Sequence, residues 1–213
     1  MSSSQKKETV PDSLLVMDAE LFMAAVKGDS NVLIRRLGLP TDAQNEIQVT
    51  IEASGSYSQQ TEAEHHVAES ELGSIATGSG DTLLHLLITG RQNELALKVF
   101  TKDVSLLKVR NKKLETPLHD AAKVGNEEVI HGLIGVSPGE VKDVLGETNE
   151  TGDIALHVAA KHNSEGVVSE LMRLDPRAVY KKNKQSFSPL YIAIVEDHTS
   201  SVKAMLEVDI TLA

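Results

Sequence analysis

The chain has no cysteine and no tryptophan, and its 213 residues include only three Phe and three Tyr. Without cysteine there can be no disulfide framework, no thiolate metal site and no cysteine nucleophile, which fits a reducing compartment. With aromatics at 3%, a core has to be built from Leu, Val, Ile and Ala, which suit closely stacked helices. Positive charge is also scarce. The 21 Lys and Arg face 31 Asp and Glu, and the formal net charge of -10 argues against a nucleic-acid ligand, because phosphate neutralisation supplies most of that affinity. Long apolar runs are missing as well: Leu83 to Ile88, broken by His85, falls far short of the ~20 residues of a membrane span. The start, Met1 to Thr9, is polar and lacks the apolar stretch of a secretory signal. The expectation is a cytoplasmic chain with no membrane insertion of its own, long enough for one ordinary core or a short array of repeats.

Reaction motifs are equally scarce. There is no phosphate-cradling glycine loop followed by Lys, no His-Glu-x-x-His and no Gly-x-Ser-x-Gly elbow, so no catalytic residue, cofactor or metal is assigned. The adjacent His65-His66 pair reads as a solvated loop pair rather than a metal site, and Asn149-Glu150-Thr151 reads as a turn rather than a glycosylation acceptor. An enzyme of unrecognised class remains the weaker alternative. It would need a cleft with converging titratable groups.

What the chain does have is a repeated phrase. Thr82-Leu83-Leu84-His85, Thr116-Pro117-Leu118-His119, Ile154-Ala155-Leu156-His157 and Ser188-Pro189-Leu190-Tyr191 align, with starts 34, 38 and 34 residues apart. Small or aliphatic pairs follow in register: Leu87-Ile88, Ala121-Ala122, Ala159-Ala160 and Ala193-Ile194. Each marks a short helix, ended by a residue tolerant of the left-handed region: Gly125, Asn163, Asp197 and, one place early, Gly90. Apolar quartets then recur as Leu95, Ala96, Val99, Phe100; Val129, Ile130, Leu133, Ile134; and Val167, Val168, Leu171, Met172. This spacing sets four residues on one helical face. The last copy keeps Val202, Met205 and Leu206 with Ser201 in the first place.

A weaker copy comes earlier: Glu20 to Ala25, then Gly28-Asp29, then Val32, Leu33 and Leu37. From Phe22 to His85 is about 30 residues more than one period. Residues 41–79 fill the excess with Ser, Gly, Gln and Glu, without a Lys or Arg between Leu37 and Gly90, and read as a flexible acidic insertion. The expected layout is a disordered tail over 1–16, a degenerate unit over 17–40, the insertion over 41–79, and four repeats over about 80–110, 111–148, 149–182 and 183–213. No polar capping unit follows the last repeat, so one apolar face is expected to be bare and suited to stacking more protein.

The recurring histidines invite a metal or catalytic reading. Stacked units would hold His85, His119 and His157 ~10 Å apart, beyond the reach of one metal ion. Pro117 and Pro189 stand where helices start and a missing amide costs nothing, and Thr82, Thr116 and Ser188 before them are N-cap types, unlike Ile154.

The period and the Thr-Pro-Leu-His phrase resemble ankyrin repeats. The resemblance implies an all-α solenoid of about five helix-turn-helix units with β-turn connections, and a protein-protein interaction scaffold rather than an enzyme. It implies that each histidine bonds the preceding Thr hydroxyl and the neighbouring turn. It also implies that a protein partner lies along a concave face of turn tips and first helices. Carried over by register, those positions are Lys112, Lys113, Glu115, Lys123 and Val124; then Glu150, Thr151, Asp153, Lys161 and His162; then Lys184, Gln185, Phe187, Val195 and Glu196. Basic turns (Lys108, Arg110, Lys112, Lys113; Lys181, Lys182, Lys184) flank an acidic tip (Glu147, Glu150), a striped pattern suited to a mixed-charge or acidic segment. Phe187 is a candidate anchor, or packs on the next turn.

A narrower resemblance rests on Gly152 to Ile194, with its Asp175-Pro176 and Ser188-Pro189-Leu190-Tyr191 phrases, and on Met17-Asp18-Ala19-Glu20-Leu21. These are similar to the plant accelerated-cell-death type of ankyrin proteins, over residues 17–40 and 80–213. That family has a C-terminal membrane block, absent from this sequence, and the resemblance implies defence or stress signalling. A cytoplasmic part of a membrane-tethered protein regulating cell death is the alternative.

Overall fold

The computed structural model describes residues 15–16, 19–39 and 75–210. The tail over 1–14, most of the insertion expected over 41–79, and with it His65-His66, lie outside the described residues.

Five two-helix units make up the described chain. Unit one is α1 (Ala19–Lys27) and α2 (Ser30–Leu37); unit two is α3 (Leu83–Thr89) and α4 (Asn93–Lys102). Unit three is α5 (Pro117–Val124) and α6 (Glu127–Val136), followed by α7 (Pro138–Val144). Unit four is α8 (Ala155–Lys161) and α9 (Glu165–Leu174), and unit five is α10 (Pro189–Val195) and α11 (Thr199–Ile210). First helices pack in one row, α1 on α3, α3 on α5, α5 on α8 and α8 on α10, while α4, α6, α9 and α11 form the second row. Each unit thus buries its apolar stripe against its neighbours, as a solenoid must. The all-α expectation holds, with extended structure among the described residues confined to the two-residue strands β1 (Leu15–Val16) and β2 (Ile75–Ala76) and one bridge from Ala76 to Thr82.

The quartets form the core between the rows. Leu95, Ala96, Val99, Phe100, Val129, Ile130, Leu133, Val167, Val168, Leu171 and Met172 are all buried, each large one contributing ~1.5–3 kcal/mol. Unit five departs from the expected stripe. Met205 is buried and Ser201 is too, donating to Asn163 Oδ1 at 3.1 Å, but Leu206 is exposed.

Helix ends follow the period more strictly than the sequence suggests. The residue with positive φ after each first helix is Gly28 (72°), Arg91 (56°), Gly125 (63°), Asn163 (51°) and Asp197 (57°). In unit two it is therefore Arg91, while Gly90 keeps a right-handed φ of -76°. The 38-residue interval is explained between α6 and unit four: where units two and four have short 3₁₀ turns (Val104–Lys108 and Pro176–Tyr180), unit three has α7. Four extra residues make about one more helical turn there.

Two expected boundaries move. Residues 75–79, assigned to the insertion, belong to unit two: Ile75–Ala76 pair in parallel with Leu15–Val16, and Thr77 to Ser79 begin its turn. Residues 15–16, assigned to the disordered tail, are that strand's partner. Unit one, despite its distance in sequence, stacks directly on unit two, with Gln92 Nε2 donating to the Ala25 carbonyl at 2.7 Å and Leu21, Ala25 and Leu37 in the common core.

Candidate protein-binding face

The turn tips are built by asparagines. Asn111 Oδ1 accepts from the amides of Lys113 (2.9 Å) and Glu115 (3.0 Å), Asn149 Oδ1 from Thr151 and Asp153 (both 3.0 Å), and Asn183 Oδ1 from Gln185 and Phe187 (both 3.0 Å). Thr77 Oγ1 plays the same part for the amide of Asp81 at 3.1 Å. Each tip then bends back through a second left-handed residue: Gly80, Leu114, Gly152 and Ser186. Successive tips are joined backbone to backbone, Lys112 N to Ser79 O (3.0 Å), Glu150 N to Lys113 O (2.9 Å) and Lys184 N to Thr151 O (3.1 Å). Side chains on the tips are thereby presented from a braced edge. These asparagines went unassigned from sequence, although positions 77, 111, 149 and 183 keep the repeat spacing.

The three histidines are buried struts. The amides of Thr82, Thr116 and Ile154 donate to Nδ1 of His85, His119 and His157 at 3.1, 3.1 and 3.2 Å. An amide only donates, so each Nδ1 is bare and the proton is on Nε2. Nε2 then donates to a carbonyl of the next unit: Glu115 (3.2 Å), Asp153 (3.0 Å) and Phe187 (3.0 Å). Thr82 and Thr116 hydroxyls lie 2.8 and 2.9 Å from the same Nδ1 atoms. Ile154 shows why the hydroxyl is dispensable: the ring, not the Thr, satisfies the amide. Burial holds all three imidazoles below their usual pKa, His85 at about 4. Tyr191 takes the position in unit five and is exposed, while its amide donates to Ser188 Oγ at 3.2 Å. Pro117 and Pro189 are buried at their helix starts.

On the face itself, Lys112, Lys113, Lys123, Glu150, Thr151, Lys161, His162, Lys184, Gln185, Phe187, Val195 and Glu196 are exposed, and Glu115 and Val124 half-buried. Asp153 stands apart. It is 1% exposed, because its carboxylate is taken up by Asn183 Nδ2 (2.6 Å), the Thr151 hydroxyl (2.6 Å) and Lys161 Nζ (2.5 Å), which together hold its pKa low against desolvation. It braces the tip rather than offering a contact. The expected charge stripe is thinner too. Lys108 is bound by Glu140 (2.8 Å) and Asp143 (3.0 Å), Arg110 by Glu147 (3.2 Å), and Lys181 approaches Asp175 at 3.5 Å. Among the described residues Lys112, Lys113 and Lys123 have no such carboxylate partner, and Lys184 donates to the Glu150 carbonyl at 2.7 Å. Phe187 packs on Tyr191 of its own unit, ring centroids 4.8 Å apart, and both stay exposed.

Sequence reading passed over Asp120. It occupies the place held by Leu86, Val158 and Ile192 in the other repeats, and that break in an apolar register was the available signal. Asp120 is 6% exposed and lines a cleft of about 340 Å³ between units two and three, with Asp81, His85, Glu115, Lys113 and Lys123. Its carboxyl has no hydrogen-bond or ion-pair partner among the described residues. Desolvation, then Glu115 and Asp81, push its pKa up to about 7. Among the described residues no group of three or more His, Asp or Glu could hold a metal ion, and no helix is long and apolar enough to cross a membrane.

The family model for ankyrin repeats (three copies) matches residues 138–213. An Arabidopsis thaliana protein, ankyrin repeat-containing protein ITN1, is 28% identical over 58% of this chain and 23% of its own length. Protein ACCELERATED CELL DEATH 6, also from Arabidopsis thaliana, is 25% identical over 56% of this chain and 19% of its own. The chain therefore spans about a fifth of the length of these relatives. The crystal structure of the ankyrin repeat domain of Bcl-3, a member of the IkappaB protein family, superimposes with a TM-score of 0.67 at 21% identity, covering 90% of this chain and 72% of that one. Repeated phrase, stacked helix pairs and family match agree that this chain carries ankyrin repeats folded as an ankyrin-repeat solenoid, the architecture of a protein-protein interaction scaffold.

Proposed function

We propose that the face made by the tips and first helices of units three to five binds a protein partner in plant defence or stress signalling. The observation that carries the binding surface is the row of exposed side chains on mutually hydrogen-bonded tips, Lys112 and Lys113, Glu150 and Thr151, Lys184 and Gln185. Ordering such a rigid edge costs little when a partner docks. The plant setting draws support from the two Arabidopsis relatives and from the Asp175-Pro176 and Ser188-Pro189-Leu190-Tyr191 phrases; the fold itself, shared with Bcl-3, does not argue for it. The proposed location is the cytoplasm, with the longer relatives at the cytoplasmic face of a membrane. Co-precipitation from plant tissue before and after an immune elicitor, using the chain and a Lys112→Glu/Lys113→Glu/Lys184→Glu variant, tests both parts. Partners retained equally by the variant would remove the face, and partners unconnected with defence or stress would remove the setting.

A further inference from the structure

We infer that the cleft between units two and three receives the basic end of a Lys or Arg side chain projecting from a partner polypeptide. Asp120 holds that end, and Lys112, Lys113 and Lys123 at the rim meet acidic residues on either side of it. The inference rests on the reading of this face as a partner-binding surface and adds the chemistry of what enters it.

Asp120 is 6% exposed as a residue and its carboxyl has no partner among the described residues, a costly arrangement, since desolvating an ionised group without full compensation is expensive. Among the described residues only the more distant Lys123 and Lys113 offset the charge of Asp120, and none bonds its carboxyl. Asp81 is occupied by Ser79 Oγ at 2.5 Å and Asn111 Nδ2 at 2.8 Å, and both ring nitrogens of His85 are used, Nδ1 by Thr82 and Nε2 by the Glu115 carbonyl. The apolar residue of the sister repeats, Leu86, Val158 or Ile192, would fill the same place without this cost. An incoming cation would remove the penalty and gain a charge-assisted hydrogen bond, bidentate in the case of Arg.

The charges around Asp120 favour a cation on the floor and anions at the rim. From the turn come Glu115, Lys112 and Lys113, from unit two Asp81 and the neutral His85, and from its own helix Lys123. Glu115 and Asp81 act on Asp120 more strongly than Lys123 and Lys113, so the field there is negative. The lysines are exposed, whereas Asp120 is buried. About 340 Å³ is room for one long side chain and its hydration. The fitting segment is thus one basic residue flanked by acidic ones.

The test is selection of displayed 12-residue random peptides on the full chain, followed by fluorescence polarisation of the enriched peptides against the chain, Asp120→Asn, Asp120→Leu and Lys113→Glu/Lys184→Glu. The inference expects enriched peptides with a Lys or Arg at one fixed position flanked by Asp or Glu, at least tenfold weaker on both Asp120 variants and when that residue is replaced by norleucine. Affinity should also rise between pH 6 and 8, where Asp120 gives up its proton. Peptides that need Lys113 and Lys184 but ignore Asp120 would overturn the inference and leave the binding face standing. Peptides indifferent to all the variants, or no enrichment at all, would overturn both.

Discussion

His119 Nε2 lies 3.0 Å from the carbonyl oxygen of Asp153, so a side chain of unit three is hydrogen-bonded to the backbone that opens unit four. The same ring accepts the Thr116 amide at 3.1 Å on its other nitrogen. Removing it strands a donor and an acceptor, both in buried surroundings. His119→Ala should therefore lower unfolding free energy by on the order of 2 kcal/mol in urea titration. His131→Ala, on a side chain 74% exposed, should stay within about 0.5 kcal/mol. Equal effects would show that the ring is not a strut between units.

Acid should attack these struts first. His85, His119 and His157 all have folded pKa values below the usual 6.5, so the unfolded chain binds protons more readily than the folded one as pH falls. Their contribution is complete above pH 6.5 and is lost as pH drops towards about 4, where His85 titrates; for that residue alone the loss is about 3 kcal/mol. Urea midpoints between pH 7 and 4 should fall, and His85→Gln should flatten the fall.

Asp120 works in the opposite direction. Its folded pKa of about 7 lies above the usual 3.8, so the folded chain holds this proton more tightly and the contribution of Asp120 alone to stability declines as pH rises from about 4 to about 7. Asp120→Leu should abolish that decline and raise stability at pH 8 by about 1–2 kcal/mol, because an unpaired buried charge gives way to the residue type of the sister repeats. A loss of stability at pH 8 would mean that the carboxyl has a partner within the chain.

Two glycines separate backbone demand from composition. Gly152 has φ +79°, and a Cβ there would lie 2.8 Å from the Lys184 amide nitrogen, the atom that joins the tips of units four and five. Gly152→Ala should cost at least ~1 kcal/mol. Gly135, within α6, has open space around it, and Gly135→Ala should gain ~0.5–1 kcal/mol by helix propensity. Thermal melts of the two variants should shift in opposite directions.

The sequence made the unit count, the helix pairs and most of the core legible, because the apolar quartets and the Thr-Pro-Leu-His phrase are periodic and burial follows period. Features set by side-chain partners were less legible. Gly90 outranked Arg91 as a helix terminator on propensity, yet the register of left-handed residues decided for Arg91. Asp153 read as a contact because its position is a tip position, and nothing local shows that Asn183, 30 residues on, takes up its carboxylate. Lys108 and Arg110 read as free charge because their acidic partners sit on α7 and the turn after it, the feature created by the four-residue excess. Asp120 was visible as a break in the repeat, but only the folded chain shows that it is buried without a partner among the described residues.

Each histidine bridge ends on a backbone carbonyl, that of Glu115, Asp153 or Phe187, and never on a side chain. A carbonyl survives any substitution, so the join between neighbours is blind to what residue stands there. An acid, a braced acid and an aromatic occupy the three equivalent places here without disturbing the stack. Architecture and recognition thus draw on different atoms of the same residues, and variation at 115 and 187 could retune what the surface selects while the array itself stays assembled.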